Sequence, residues 1–293
     1  MTQFKNQTLL VTGAAGQFGR IAVEELLALG ATRVIAGTRD PAKLADLAAK
    51  GVTVRKVDFD DAASLVSGFA GVDRVLIVST DGIGKRVAQQ TAAVAAAKAA
   101  GVKHLVYTSA PAARPNADAG LAGEHFWTEV AISQSGIDFT ILRNHMYAEN
   151  NLMSAAHEVA SGQLFGLIGD RGTSYVTRAD AARTAAGALL TAEGSAVIDV
   201  TGPAPVTNDD RAALYARATG KTVQSIAITP PELVAGMVAA GLPEGFAQAL
   251  VAFQVDAVIG YHGAVTDAVE RFSGRKPQAF AEFLTENRAA LGA

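Results

Sequence analysis

Six short runs rich in β-branched and aliphatic residues alternate with helical runs through the first half of the chain. The strand-like runs are residues 7–13, 31–38, 52–59, 72–80, 102–110 and 137–144. Helix-period segments separate them, at 17–30, 41–51, 60–71, a long stretch ending at Gly101, and 122–136. Alternation on this scale predicts right-handed βαβ units and a parallel sheet. The strands lack clean apolar–polar alternation, as expected where helices cover both faces of a sheet. The expected class is therefore α/β, a doubly wound parallel sheet. After about residue 150 the rhythm changes. A helix over 152–162, a short strand over 164–168, a Gly-Asp-Arg-Gly turn, a long segment over 174–190 and a strand over 196–202 precede shorter pieces. The expected organisation is a sheet domain over 1–150. A smaller mixed lobe over 151–293 would be partly woven back into the sheet and close over the strand ends.

The first strand runs straight into "VTGAAGQFGR", residues 11–20, with glycines three apart and a helix behind them. A strand-to-helix turn presents unpaired backbone N–H groups at the positive end of the helix dipole, a site for a phosphate. Gly13 fits the sharp turn, Gly16 the close approach of a ligand, and Gly19 tight helix–strand packing. Gln17 and Phe18 would then offer N–H groups to a pyrophosphate. A glycine-rich turn that binds nothing is the plain alternative, but the position between first strand and first helix is the one a dinucleotide site requires. The second strand ends in "GTRDPAK", where a NAD-preferring site places an acid on the ribose hydroxyls. Here Thr38 and Arg39 stand instead, and Asp40 before Pro41 is better explained as a helix cap. Arg39 can fork onto a 2′-phosphate, with Lys43 adding charge, so NADPH is expected over NADH; a plain surface arginine is the alternative. The "ATGKT" near residue 220 lacks the earlier glycine of a phosphate loop, since position 215 is tyrosine.

Composition narrows the partners. Of 293 residues, 49% are apolar and 18% charged, and the formal charge is −3 with signs interspersed. That argues against nucleic acid and anionic membrane, which need a concentrated basic face. The densest basic patch, "RFSGRKP" near the C-terminus, reads as a solvated turn. The chain has no cysteine, which excludes disulfides and thiolate chemistry and fits a reducing cytoplasm. No signal peptide and no bilayer-length apolar run is apparent. The scattered His104, His157 and His262 lack ligand spacing, so no metal is expected. The expected partner is a small molecule, and self-association into a homo-oligomer is compatible with the sequence.

The Gly-x-x-Gly-x-x-Gly turn resembles that of short-chain dehydrogenase/reductase proteins. More narrowly the chain resembles their atypical NmrA-like branch, and within it type 2 NAD(P)H:quinone oxidoreductases and triphenylmethane dye reductases. The resembling stretches are "AGTRDPAKLADLAAKGVTVRKVDFDD", "AAKAAGVKHLVYTS", "GEHFWTEVAISQSGIDFTILRNHMYAEN" and "YVTRADAARTAAGALL". The resemblance implies a Rossmann domain with NADPH above the strand ends. It also implies adenine near Asp58, and nicotinamide near Ser79, Thr80, Ser109 and the segment from Arg143 to Tyr147. Loop capping is the alternative for Asp58 and Ser109.

Most short-chain dehydrogenases reduce carbonyls with a Tyr-x-x-x-Lys pair. None of Tyr107, Tyr147, Tyr175, Tyr215 and Tyr261 has lysine four residues on. Where the pair normally sits, the chain has His125 and Glu129. Hydride added to a simple ketone leaves a localised, very basic alkoxide, so a positioned acid is valuable. A quinone leaves a delocalised anion and a cationic triarylmethane dye a neutral product, so orientation over the nicotinamide supplies most of the acceleration. The missing pair points to flat conjugated acceptors.

Three candidate residues follow. His125 is the residual acid, or else a helix-face histidine bonded to Glu129 one turn on. Asn144 and Tyr147 follow the sixth strand, where a parallel sheet presents its ligand site. Tyr147 is the expected acceptor-orienting residue, with aromatic packing as the alternative. His145 replaces a residue that is small in the resembling proteins and would narrow or polarise the pocket. The expected function is an NAD(P)H-dependent oxidoreductase acting on quinones or similar acceptors. Two alternatives stand beside it. One is an NADP(H)-binding redox sensor without turnover, whose partner groove would lie on the apolar run "PPELVAGMVAAGLPEGFAQALVAF". The other is a carbonyl or alcohol oxidoreductase with a non-standard acid such as His125.

Overall fold

The computed structural model describes residues 3–115 and 120–292. In chain order the elements begin β1 (Leu9–Val11), α1 (Gln17–Ala28), β2 (Val34–Thr38), α2 (Ala45–Ala49), β3 (Thr53–Lys56), α3 (Ala62–Phe69), β4 (Arg74–Ile77), α4 (Arg86–Ala99), β5 (His104–Ser109), α5 (Leu121–Gln134) and β6 (Asp138–Asn144). They continue α6 (Leu152–Ser161), β7 (Gln163–Leu167), α7 (Arg178–Thr191), β8 (Ala196–Val200), α8 (Asn208–Thr219), β9 (Gln224–Ile228), α9 (Pro230–Ala239), α10 (Glu244–Val258), α11 (Ala268–Ser273) and α12 (Phe280–Glu286). The chain forms two compact units. One comprises residues 1–143, 179–200 and 268–275, the other 144–178, 201–267 and 276–293.

The first unit holds a seven-stranded sheet in the order β3-β2-β1-β4-β5-β6-β8. The pairings among β1 to β6 are parallel, with Leu10 opposite both Ile35 and Val75. Leu10, Val75, Ile77, Leu105 and Tyr107 join a core with Leu65 and Phe69 of α3, Ala93, Val94 and Ala97 of α4, and Ile132 of α5. Their alternates Leu9, Val11, Leu76 and Val106 are fully buried too. Both faces of β1, β2, β4 and β5 are covered, which is why these central strands show no exposed polar side. The order reverses between β1 and β4, and a doubly wound sheet binds ligands outside the carboxyl ends of the strands at such a point.

Three later pieces complete this unit. Arg74, buried in β4, donates from Nε to the Leu189 carbonyl and from a terminal nitrogen to that of Ala192, both at 2.6 Å, and stacks over Phe4. α7 and α11 approach so closely that a side chain at Gly187 would strike the Phe272 carbonyl. Glu25 of α1 pairs with Arg275 at 3.3 Å and Arg183 at 3.8 Å. The second unit pairs β7 with β9 in parallel. Tyr215 of α8, Val159 of α6 and Phe283 of α12 share one core, and Leu167, Leu233 and Val251 with α9 and α10 share another. α8 opens on a Thr207–Asp210 capping box and closes at Gly220 with φ +74°, so "ATGKT" is a helix C-terminus.

Candidate active site

Gly13 leaves β1 with φ +62°, a left-handed conformation that glycine adopts without strain. The Gly16 N–H donates to the Gly13 carbonyl at 2.9 Å, and Gly16 then caps α1 in extended conformation. No side chain caps α1 and no acid lies in its first turn. The positive end of the α1 dipole is thus not compensated by a capping side chain or a first-turn acid. A Cβ at Gly19 would meet the Gly13 carbonyl and lie 2.8 Å from Ala14 Cα, whereas one at Gly16 would meet only the Gly13 carbonyl, at 3.3 Å. Gly16 and Gln17 are exposed; Phe18 and Gly19 are buried. The turn is anchored to neighbouring strands by Ala14 N–H on the Gly37 carbonyl at 2.9 Å, and by Thr12, whose hydroxyl accepts the Val78 N–H at 3.0 Å.

Beyond β2, Asp40 accepts the Ala42 N–H at 3.2 Å ahead of Pro41, the expected cap. It opens a 3-10 turn over Pro41–Leu44, and α2 is only five residues long. Arg39 and Lys43 are both exposed. Arg20 crosses from α1 to Asp46 at 2.7 Å and to the Lys43 carbonyl at 3.3 Å, holding that segment against α1. Asp58 caps its own loop by accepting the Asp60 N–H at 3.1 Å, while its backbone exchanges hydrogen bonds with Ser64.

At the ends of β4 and β5, the Ser79 N–H donates to Thr108 Oγ1 at 2.8 Å, and Thr108 donates to Ser79 Oγ at 3.2 Å. Thr80 donates its hydroxyl to Gln89 and its N–H to Gln90 Oε1, at 2.9 and 3.2 Å. Ser109 donates to Glu129 Oε1 at 2.6 Å. Arg143 forks onto the same carboxylate at 2.9 and 2.6 Å, which holds its guanidinium above the ordinary arginine range. Glu129 therefore ties the ends of β5 and β6 to α5. In the sequence Glu129 stands out only as a partner for His125 one turn back; nothing points to Ser109 or Arg143 as its partners.

His125 does not bond Glu129. Its Nδ1 lies 2.8 Å from the Tyr107 hydroxyl, which also receives Gln90 Nε2 at 3.2 Å. Gln90 is fully buried in the Ala-rich α4 and donates further to Thr128 at 2.8 Å. Burial, with the nearby Arg86 charge, pulls the His125 imidazole down to about 3, so it is neutral at physiological pH. Beside it Arg86 donates to the Thr80 carbonyl and lies 4.0 Å from Glu124, which accepts the Gly84 N–H at 2.7 Å. Together they fix the loop after β4.

In the second unit, Asn144 Nδ2 donates to the Tyr147 hydroxyl at 3.1 Å, and buried Asn144 Oδ1 has no partner among the described residues. Burial pushes the Tyr147 phenol up to about 12, opposed by the Asn144 bond and the Arg178 charge. The Arg178 guanidinium lies 5.1 Å from the Tyr147 ring centre, and the Arg178 N–H is held by Glu149 at 2.9 Å. His145 is buried with Nδ1 3.1 Å from the His262 carbonyl, which also accepts the Ser174 N–H at 2.9 Å. His145 thus anchors the segment around His262.

The family model that describes the NmrA-like family matches residues 5–284. Quinone oxidoreductase 2 of Escherichia coli is 38% identical over 255 residues, covering 86% of this chain and 88% of the relative. An NADPH-dependent quinone oxidoreductase from E. coli, solved with NADPH, superposes with a TM-score of 0.89 at 34% identity, over 98% of this chain and all of that one. The Citrobacter sp. triphenylmethane reductase complexed with NADP(H) gives a TM-score of 0.85 at 30% identity, over 96% and 99% of the two chains. The seven-stranded sheet agrees with these likenesses, and the chain belongs to the NmrA-like family.

Proposed function

We propose that this protein is an NADPH-dependent reductase of quinones and similar flat, conjugated acceptors. The observation that carries the reading is the pairing of an uncapped glycine turn at the sheet's switch point with an α5 that carries no Tyr-x-x-x-Lys pair and whose His125 is neutral. His125, held near a pKa of 3, cannot serve as an imidazolium acid at neutral pH. That argues against reduction of ordinary carbonyls through this residue. The likeness to quinone oxidoreductase 2 supports the same substrate class. No described helix is long and apolar enough to cross a membrane. In this reading the protein works in the reducing cytoplasm that its lack of cysteine suits.

The residues fit the cofactor. Gly13, Gly16, Gln17, Phe18 and Gly19 would form the cradle for the pyrophosphate: the uncapped positive end of α1 suits an anion, and a Cβ at Gly16 would meet only the Gly13 carbonyl. Arg39 and Lys43 would take the 2′-phosphate, and Asp58 would border the adenine. Ser79, Thr80, Ser109 and Arg143 would flank the nicotinamide. When bound, NADPH supplies the hydride. The protein's task is to hold the acceptor ring parallel and close, which alone can contribute on the order of 7 kcal/mol. Tyr147 and Asn144 would orient that ring, the phenol staying protonated as a hydrogen-bond donor.

The test is a turnover screen with NADPH and NADH against benzoquinones, triarylmethane dyes and simple ketones. Quinone turnover with NADPH, and none with ketones, is expected. Tight NADPH binding without turnover of any acceptor would replace the reading with a sensor, and ketone turnover that collapses in His125→Ala would restore His125 as an acid.

A further inference from the structure

The hydrogen bonds beneath His125 can be followed from a donor whose direction is fixed. The backbone N–H of Thr80 donates to Gln90 Oε1. Gln90 Nε2 must then face the other way, where it donates to Tyr107 Oη and Thr128 Oγ1. Thr128 passes its own proton to the Glu124 carbonyl at 2.9 Å. Tyr107 is fully buried, and its hydroxyl oxygen already accepts from Gln90. Thr128 Oγ1 also neighbours this hydroxyl but already accepts from Gln90, so the Tyr107 proton goes to Nδ1 of His125, 2.8 Å away, because a buried O–H without an acceptor is costly. Nδ1 is thereby an acceptor, and a neutral imidazole then carries its single proton on Nε2.

Nε2 is not among the buried atoms left without a partner, and no described residue bonds it. The His125 residue keeps 6% of its surface exposed. Helix α5 follows β5 and so begins at the carboxyl end of the sheet; Glu124 in its first turn accepts the Gly84 N–H from the loop after β4, and Glu129 receives Ser109 at the end of β5.

We propose that His125 is a tautomer-locked, neutral hydrogen-bond donor whose Nε2–H is aimed at a carbonyl oxygen of the bound acceptor, with Gln90 and Tyr107 as the positioning residues that set its proton. The proposal rests on the reductase reading above. A neutral imidazole can polarise a carbonyl in this way without giving up its proton. The balance is that of quinone reduction. The hydride brings one hydrogen and the electron pair to the acceptor, one ring oxygen becomes anionic while His125 keeps its proton, and water supplies the single proton that completes the hydroquinone, leaving hydroxide. The groups around the ring keep it neutral. Tyr107 approaches from β5 and cationic Arg86 from α4, while Glu124 and Glu129 lie on its own helix, with Glu129 occupied by Arg143.

The test uses the full chain labelled with nitrogen-15 in its histidines. In the wild type, NMR should show His125 with Nδ1 bare and Nε2 protonated throughout pH 6 to 8. In Tyr107→Phe the proton should divide between the two nitrogens. With NADPH and a benzoquinone, His125→Phe should lose about 10- to 100-fold in kcat, His125→Gln should stay within a few-fold of wild type, and KM for NADPH should not move. A proton on Nδ1 in the wild type overturns the proposal. So does an unchanged tautomer in Tyr107→Phe, or equal losses in His125→Phe and His125→Gln. If either variant fails to fold, the wild-type spectrum still decides. A wild type that reduces no quinone would sink the reductase reading, while the nitrogen assignment would be judged separately.

Discussion

Adding one methyl group at Gly19, and separately at Gly16, should divide the glycine turn into its two jobs. At Gly19 the new Cβ would meet backbone: the Gly13 carbonyl oxygen and carbon and Ala14 Cα, the last two at 2.8 Å. Backbone cannot rotate away, so α1 must shift off β1, and overpacking of this kind costs up to about 3 kcal/mol. Alanine returns about 1 kcal/mol of helix propensity. The net loss is about 2 kcal/mol, or roughly 4–8 °C in Tm for a domain of this size. At Gly16 the sole contact is 3.3 Å to the Gly13 carbonyl, and the extended backbone there suits alanine. The stability cost is the poorer helix cap, about 0.5–1 kcal/mol. Its Cβ would instead stand where a pyrophosphate must approach, so NADPH affinity should fall at least about tenfold, or about 1.4 kcal/mol. Urea denaturation of the apo protein and NADPH titration by fluorescence read the two quantities independently. A Gly19→Ala protein as stable as wild type, or a Gly16→Ala protein that binds NADPH normally, would refute the division of labour.

Further outcomes are expected. Arg39→Asp should weaken NADPH by about 10- to 100-fold, the worth of charge-assisted bonds, while sparing NADH; a variant that keeps its NADPH preference removes Arg39 from the cofactor site. Tyr147→Phe should lower kcat/KM for a benzoquinone about tenfold with NADPH affinity unchanged, and equal activity would leave Tyr147 a packing residue. Glu129→Gln strands Arg143, whose side chain is 27% exposed, so the cost should be about 1–3 kcal/mol in chemical denaturation rather than the larger penalty of a fully buried charge. His104 and His125 are both held down to about 3, chiefly by burial. The unfolded chain takes up protons below about pH 6.5 that the folded protein refuses until about pH 3. Stability is therefore full above pH 6.5 and falls through that window, by about 2 kcal/mol per ring between pH 7 and 5. Identical urea midpoints at pH 7 and 5 would show that the rings are not buried neutral.

The sheet and the glycine turn were legible because their signals are local. Strand and helix periods repeat within a few residues, Gly13, Gly16 and Gly19 stand three apart, and Asp40 directly precedes Pro41. The missing Tyr-x-x-x-Lys pair was equally plain. What joins distant stretches was not. Ser109, Glu129 and Arg143 meet across 34 residues of chain, and Gln90 reaches Tyr107 and Thr128 from an Ala-rich helix that reads only as having a polar side. Spacing suggested that His125 would bond Glu129 four residues on. The structure turns Glu129 to Arg143 and gives His125 to Tyr107, because a helix face says which residues are neighbours but not which partner a strand will bring. The helix expected over 41–51 became a 3-10 turn and a short α2 after the Asp40–Pro41 start.

The unit that carries the glycine turn is interrupted twice, and its last piece is residues 268–275. During synthesis Arg74 is made more than a hundred residues before the Leu189 and Ala192 carbonyls it must satisfy, and Glu25 waits longer still for Arg275. A nascent chain halted at residue 150 would hold a buried-type guanidinium with nothing to receive it and a sheet lacking β8. Nucleotide-binding competence should thus arrive late in translation, and a fragment cut at the apparent midpoint should need chaperones rather than fold alone.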